Sequence, residues 1–410
     1  MIDILVFSFI GLLVGLVAGL TPGVHPNQVF VILISLMPFL SKFTGYGLIA
    51  FILAVATSNI VFNYIPAIFL SVPDPETVVN VLPGHRMVLE GKGLDALFIS
   101  LCGSFFTLIF CIIMLPILIF FIPILNNHLY PYLHYLLAGL TLWMILLEKS
   151  WKKMFCSILL YVISGFWGIL TLNSVMISAD KALFPSLTGM FGVAGILLSL
   201  NEQSKIPKQI ADGFFEVGNI KKIVLSSLIA GLLIGVLPGA GESQAGVLMS
   251  CITRMEQKEF LGSLAGINSS NMFFALISLY SFDKIRSGSS AAIKEVVDVF
   301  TAKELLFSIG VVLFSAGFSV LFTWFLGKKC LTFLETINYK VLSIWILVFT
   351  VLMVLILSGL VGIFILIIST CIGILPIAWG VKRTSNMGYL MLTTTLYFAG
   401  FTWLVYGLIY

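Results

Sequence analysis

Charge is what this sequence has least of. Of its 410 residues only 10% are charged, 22 Lys and Arg against 18 Asp and Glu, where a soluble domain carries about 25%. So little charge cannot solvate a globule of this size, and a water-soluble fold is excluded. No basic face or polybasic run is present, which removes nucleic acid and anionic headgroup surfaces as partners. The six cysteines (Cys102, Cys111, Cys156, Cys251, Cys330, Cys371) are scattered without a CxxC pair, so neither a disulfide framework nor a metal site is expected. No Ser/His/Asp, HExxH, Walker or GxGxxG pattern has a fitting context, so no enzyme and no resident cofactor is expected. Met1-Ile2-Asp3 lacks the positive start of a cleavable signal peptide, and the apolar segment from Ile4 reads as mature protein.

What is present is apolar. Hydrophobic residues make up 60% of the chain, with 35 Phe and seven Trp and a mean hydropathy of +1.13. A membrane-spanning helix needs about 20 such residues. The sequence predicts an all-α polytopic membrane protein with ten full spans: 46–71, 97–124, 129–147, 154–172, 183–200, 260–281, 304–327, 341–357, 360–381 and 386–409. Two further apolar stretches, 4–40 and 222–253, are broken at Thr21-Pro22-Gly23 and Leu237-Pro238-Gly239. Their arms, each about 24 Å long, fall short of a comfortable crossing. They read as re-entrant or discontinuous helices, with a kink in one long helix as the plainer alternative.

The two broken stretches match each other. Aligned on their prolines they share Gly15/Gly231, Gly19/Gly235, Pro22/Pro238, Gly23/Gly239 and Gln28/Gln244, and Thr57-Ser58-Asn59 answers Ser269-Ser270-Asn271. Later, Gly168-Ile169-Leu170 answers Gly373-Ile374-Leu375, and Leu187-Thr188 answers Leu392-Thr393. The chain therefore reads as a duplication, 1–200 and 222–410, joined by the polar linker 201–221. Basic loops swap between the halves: 148–153 carries Lys149, Lys152 and Lys153, whereas its equivalent is the uncharged Ser358-Gly359. Such a swap predicts two inverted-topology repeats, as in many secondary transporters. It puts the protein in the cell membrane, the linker in the cytoplasm and both termini outside.

A Pro-Gly break that opens a helix leaves amide N–H groups unpaired at a positive macrodipole end. Two such ends meeting near the midplane make an anion site without a cationic side chain. The candidate binding residues are Pro22, Gly23, Val24, His25, Asn27 and Gln28 in one copy. In the other they are Pro238, Gly239, Ala240, Gly241, Glu242, Ser243 and Gln244, with Ser58, Asn59, Ser270 and Asn271 as a second polar layer. Ionisable groups at membrane depth are costly, which singles out His25 and Glu242; the alternatives are a backbone-bonded neutral imidazole and a carboxylate that caps its own helix. Glu242, Asn59, Asn63, Asn268 and Asn271 are candidates for a coupling Na+ or H+, against interhelical hydrogen bonding as the structural alternative. The Gly15/Gly19 and Gly231/Gly235 pairs read as packing faces.

Gly19-Leu-Thr-Pro-Gly-Val-His-Pro-Asn27, Gly235-Val-Leu-Pro-Gly-Ala-Gly-Glu-Ser-Gln-Ala245 and Ala265-Gly-Ile-Asn-Ser-Ser-Asn271 resemble the large permease subunit of the tripartite tricarboxylate transporters, in its archaeal-type branch. Pro83-Gly-His-Arg-Met87 and Gly380-Val-Lys-Arg383 with Met387-Gly388 add to the likeness, which covers nearly the whole chain. The resemblance implies a permease of two inverted halves that imports a small organic anion, a carboxylate, on an ion gradient. In the better-known branch it works with a small membrane subunit and an extracytoplasmic binding protein. Here Gly266-Ile267 replaces an acidic residue expected before the Asn pair, which sets tricarboxylate specificity and those partners apart as separate questions. Self-association is open as well. The alternative reading is a translocase (flippase) of a polyprenyl-phosphate or similar phosphorylated lipid carrier, whose phosphate would suit the same amides.

Overall fold

The computed structural model describes residues 2–21, 29–30, 33, 44–70, 81–148, 150–199, 215–236, 242–334 and 339–401. Among them the regular structure is helical throughout. Seven helices among the described residues are long and apolar enough to cross a membrane. Several predicted spans change their limits. The segment 97–124 divides at Met114 into α5 (Gly93–Ile113) and α6 (Leu115–Leu129), because Pro116 lacks the N–H that would continue the first helix. The segments 341–357 and 360–381 form α16 (Tyr339–Trp379), interrupted at Gly359 with φ 65° and ψ −160°. That conformation is open to glycine almost alone, and the two arms 339–358 and 360–379 are each about 30 Å long, enough to cross.

The first described helix, α1 (Ile2–Leu20), lies along α2 (Gly45–Phe62). Small residues set the spacing: a Cβ on Gly11 would sit 2.7 Å from Phe51 O, one on Gly15 2.8 Å from Val55 O, and one on Gly19 2.8 Å from Asn59 O. The partners climb in step, so α1 and α2 run parallel and α2 starts beside the beginning of α1, where Gly47 meets Phe7. Thr44 caps α2 by accepting from Gly47 N–H. After Asn63 the helix restarts as α3 (Tyr64–Phe69), the break that Pro66 imposes on the carbonyl one turn back. Helix α4 (Val81–Leu89) follows, then α7 (Leu133–Leu146) and α8 (Trp151–Leu172) beyond α6. Next come α9 (Ala179–Leu187), a π segment over Thr188–Val193, and α10 (Ala194–Ser199).

Similar packing recurs later in the chain. Helix α11 (Ile220–Val236) precedes α12 (Glu242–Thr253) and α13 (Gln257–Phe282). Lys222 on α11 bonds both Arg254 O at 3.1 Å and Glu259 at 2.6 Å, so α11 begins where α12 ends and α13 starts. A Cβ on Gly231 would lie 2.8 Å from Ser270 Cβ, the counterpart of Gly15 against Ser58. Helices α14 (Gly288–Val296) and α15 (Ala302–Leu334) follow, and α17 (Gly388–Phe398) comes after α16.

Each half also leans on the other. Helix α5 runs parallel to α13 through Gly103 against Gly262, and Ser104 Oγ meets Ser269 Oγ at 2.5 Å. Helix α15 runs parallel to α2, with Phe307 against Tyr46 and Phe322 against Phe62. In the outer helices Gly168 abuts Tyr389 O, and Gly373 abuts Met190 O. Gly388 abuts Tyr161 O, and Gly189 abuts Leu366 O. These reciprocal contacts pair Gly189-Met190 with Gly388-Tyr389, a register different from the Leu187-Thr188/Leu392-Thr393 match. The spacing shows where the shift arises: 21 residues separate Gly168 from Gly189 but 15 separate Gly373 from Gly388, so the six extra residues lie before Gly189.

Candidate functional site

Where α2–α3 crosses α13, the two halves touch through polar atoms. Thr57 Oγ1 donates to Met272 Sδ at 3.5 Å, and Tyr64 OH donates to Ala265 O at 3.1 Å. The partners run in opposite sequence sense, so the two helices cross antiparallel. Both are almost entirely buried. Asn59, Asn63 and Asn268 lie at this level with 4%, 5% and 3% of their surface exposed, a depth at which amides need partners.

The polar layer meets the second helix break directly. Glu242 is the first residue of α12, and its Oε1 accepts from Asn271 Nδ2 at 2.7 Å. A carboxylate is favoured there by the positive end of the helix and by the amide donor. Asn271 stands about 21 Å along α13 from its start, so α12 begins near the middle of the helix it packs against. Ser243 and Gln244 occupy the same first turn of α12.

Two other predicted site residues take up packing seams. Ser58 Oγ donates to Ala54 O at 2.6 Å and lies over Gly15. Ser270 Oγ donates to Ile267 O at 2.9 Å and Ser227 O at 3.1 Å. Among the described residues no hydrogen bond joins the side chains of Asn59 or Asn63 to Asn268 or Asn271. Pro22, Gly23, Val24, His25, Asn27 and Gln28 lie outside the described residues. So do Pro238, Gly239, Ala240 and Gly241.

Sequence reasoning missed Tyr64, whose hydroxyl anchors the crossing, because an aromatic in an apolar run carries no polar signal. It also missed Asn386, fully buried and with neither amide atom partnered among the described residues. Beside it in sequence, Arg383 donates Nη1 to Phe191 O at 3.3 Å, and burial pulls the guanidinium's pKa down. The only available signal was their place in the stretch that carried the family likeness. An apolar groove of about 810 Å³ between α5 and α11, lined by Phe106, Phe110, Ile113, Val224 and Leu225, lies apart from the polar layer; the neighbouring Thr107 and Ser227 turn toward Gly266 instead.

Comparison with known proteins gives two findings. Residues 5–388 match the model of the "Tripartite tricarboxylate transporter TctA family". An uncharacterized protein of Methanocaldococcus jannaschii is 28% identical over 407 residues, covering 96% of this chain and 98% of its own length. No solved structure matches.

Proposed function

The chain belongs to the tripartite tricarboxylate transporter TctA family, and from that premise we propose an ion-coupled permease for a small organic anion, a carboxylate, held between the two Pro-Gly breaks. It is a multi-pass membrane protein of a transporter family, not an enzyme. The observation that carries the proposal is the Glu242–Asn271 hydrogen bond. It sets the start of α12 beside the mid-helix polar layer of α13. On this proposal the amides of Gly239, Ala240 and Gly241 bind the anion together with those of Gly23, Val24 and His25.

An inverted duplication is part of the same reading. Its support is that α1 parallels α2, α11 begins where α12 ends, and the equivalent helices α2 and α13 cross antiparallel. Both broken segments then enter and leave from one side each, as re-entrant hairpins. The domain limits 1–200 and 222–410, the cytoplasmic linker and the extracytoplasmic termini follow from that duplication and the loop charges. Members of a tripartite family act with partner components, and we extend a small membrane subunit and a binding protein to this chain on that ground alone.

A ligand screen on the purified full chain tests the function. Small carboxylates should raise its thermal midpoint, and replacing Pro238 by Ala or Gly239 by Leu should abolish both that shift and flux in vesicles while protein still reaches the membrane. Stabilisation by polyprenyl phosphates alone would turn the reading to a lipid-carrier translocase. Wild-type flux in either variant would remove the breaks as the site.

A further inference from the structure

Asn268 is buried to 3% exposure, and neither its amide nitrogen nor its amide oxygen has a partner among the described residues. A primary amide left so in an apolar interior is penalised for each unmet group. Such a residue calls for a bound water or ion. Its place narrows the choice. It lies on the face of α13 that crosses α2–α3, between Ala265, which receives the Tyr64 hydroxyl, and Met272, which receives the Thr57 hydroxyl.

Long side chains on a helix lean toward its N-terminus, over the preceding turn. Met272 Sδ, with Thr57 Oγ1 bonded to it, therefore lies over the turn between Asn268 and Met272. Thr57 is 3% exposed, and its hydrogen goes to a sulfur at 3.5 Å, a weak acceptor, so the lone pairs of its oxygen remain available. Two neutral oxygens, one on α2 and one on α13, thus lie within about a turn of each other along a dry crossing. A hard monovalent cation takes oxygen ligands and needs no carboxylate when neutral dipoles surround it. The described residues hold no group of three or more His, Cys, Asp or Glu that would suit a multivalent ion.

We infer that the α2–α13 crossing is a sodium site, with Thr57 Oγ1 and Asn268 Oδ1 as side-chain ligands, distinct from the Glu242–Asn271 pair one turn along. The inference rests on the permease reading and deepens it. An ion held by one ligand from each half ties its occupancy to the relative position of the halves, which is what coupling requires.

The test uses the full chain in detergent, with sodium, potassium or choline chloride at fixed ionic strength. Wild type should bind radioactive sodium and show a saturable rise of its thermal midpoint in sodium only. Asn268→Ala and Thr57→Val should each weaken apparent sodium affinity at least tenfold while the midpoint in potassium is kept, since each removes an unmet or weakly met polar atom. Wild-type indifference to sodium over potassium, as expected of a site filled by water, would overturn the inference. So would an unchanged sodium response in either variant that folds. Should neither variant fold, the direct sodium-binding measurement on wild type decides. Carboxylate stabilisation with no sodium effect would sink the ion site and leave the permease; a sodium effect with no carboxylate response would do the reverse.

Discussion

Helices α5 and α13 touch backbone to backbone at Gly103, and a single methyl tests that contact. A Cβ on Gly103 would lie 2.7 Å from Gly262 C and 2.9 Å from its Cα, and nearer still to its O. Carbon pairs settle at about 3.5–4.0 Å, so the shortfall is roughly 1 Å against atoms that no rotamer change can move. The helices must part over at least a turn. Overpacking of this kind costs about 1–3 kcal/mol, partly offset by the ~1 kcal/mol that alanine gains over glycine within a helix. The opposite case is Gly310 on α15, where an added Cβ meets nothing within 4 Å, so Gly310→Ala should gain about 0.5–1 kcal/mol.

The two variants add the same atoms to the same kind of helix, and their difference of roughly 1–3 kcal/mol isolates the contact. Thermal unfolding in one detergent, with both proteins side by side, should place Gly103→Ala several degrees below wild type and Gly310→Ala at or above it. Parting α5 from α13 also disturbs the helix that holds Asn271, so Gly103→Ala should lose transport beyond its loss of stability. Equal midpoints for the two variants would mean that the helices do not approach as closely as described.

Two further perturbations follow from local structure. His85 on α4 has its Nδ1 3.3 Å from Ile68 O, and burial holds its pKa below the ordinary 6.5. The unfolded chain then takes up the proton first, so stability should fall as pH drops through about 6.5 and level off below the folded-state pKa; His85→Gln should flatten that slope in midpoints measured from pH 8 to 5, and an unchanged slope would assign it elsewhere. Gly359 has open space around it but a backbone conformation that side chains resist, so Gly359→Ala should destabilise by about 1–3 kcal/mol despite the vacancy, and a midpoint matching Gly310→Ala would show that the break is not held by its neighbours.

Helical class and the approximate position of most long helices were legible because apolar length and polar interruptions act locally. The uncharged Ser358-Gly359 marked a true backbone break, and Gly15/Gly19 marked a true packing face. The division of 97–124 was less visible, since Pro116 sits in an apolar run whose hydropathy does not change. What periodicity could not convey was partnership. Nothing local in Gly103 says that its neighbour is Gly262 in the other half, nor that Ser58 turns to Ala54 O rather than to a ligand. The Asn271–Glu242 pairing was within reach only as a shared neighbourhood, two polar residues near a break, because a hydrogen bond between them depends on where α12 starts against α13.

The scarcity of charge bears on why transport here would need an ion at all. Backbone amides can attract a carboxylate without a buried cation, yet among the described residues the ionisable group at the polar layer is Glu242, which carries the same sign as the proposed cargo. Two like charges about 4 Å apart at an effective dielectric near 20 repel by about 4 kcal/mol, roughly a thousandfold in affinity. An anion and an ionised Glu242 therefore exclude each other unless a proton neutralises the carboxylate or a cation sits close by. A lysine or arginine fixed in the site would relieve that repulsion permanently and hold the anion in every state. A mobile cation relieves it only while bound. Were the proposed site to hold its anion, the scarcity of fixed positive charge among the described residues would make binding conditional on the ion, and coupling would follow from the electrostatics of the site.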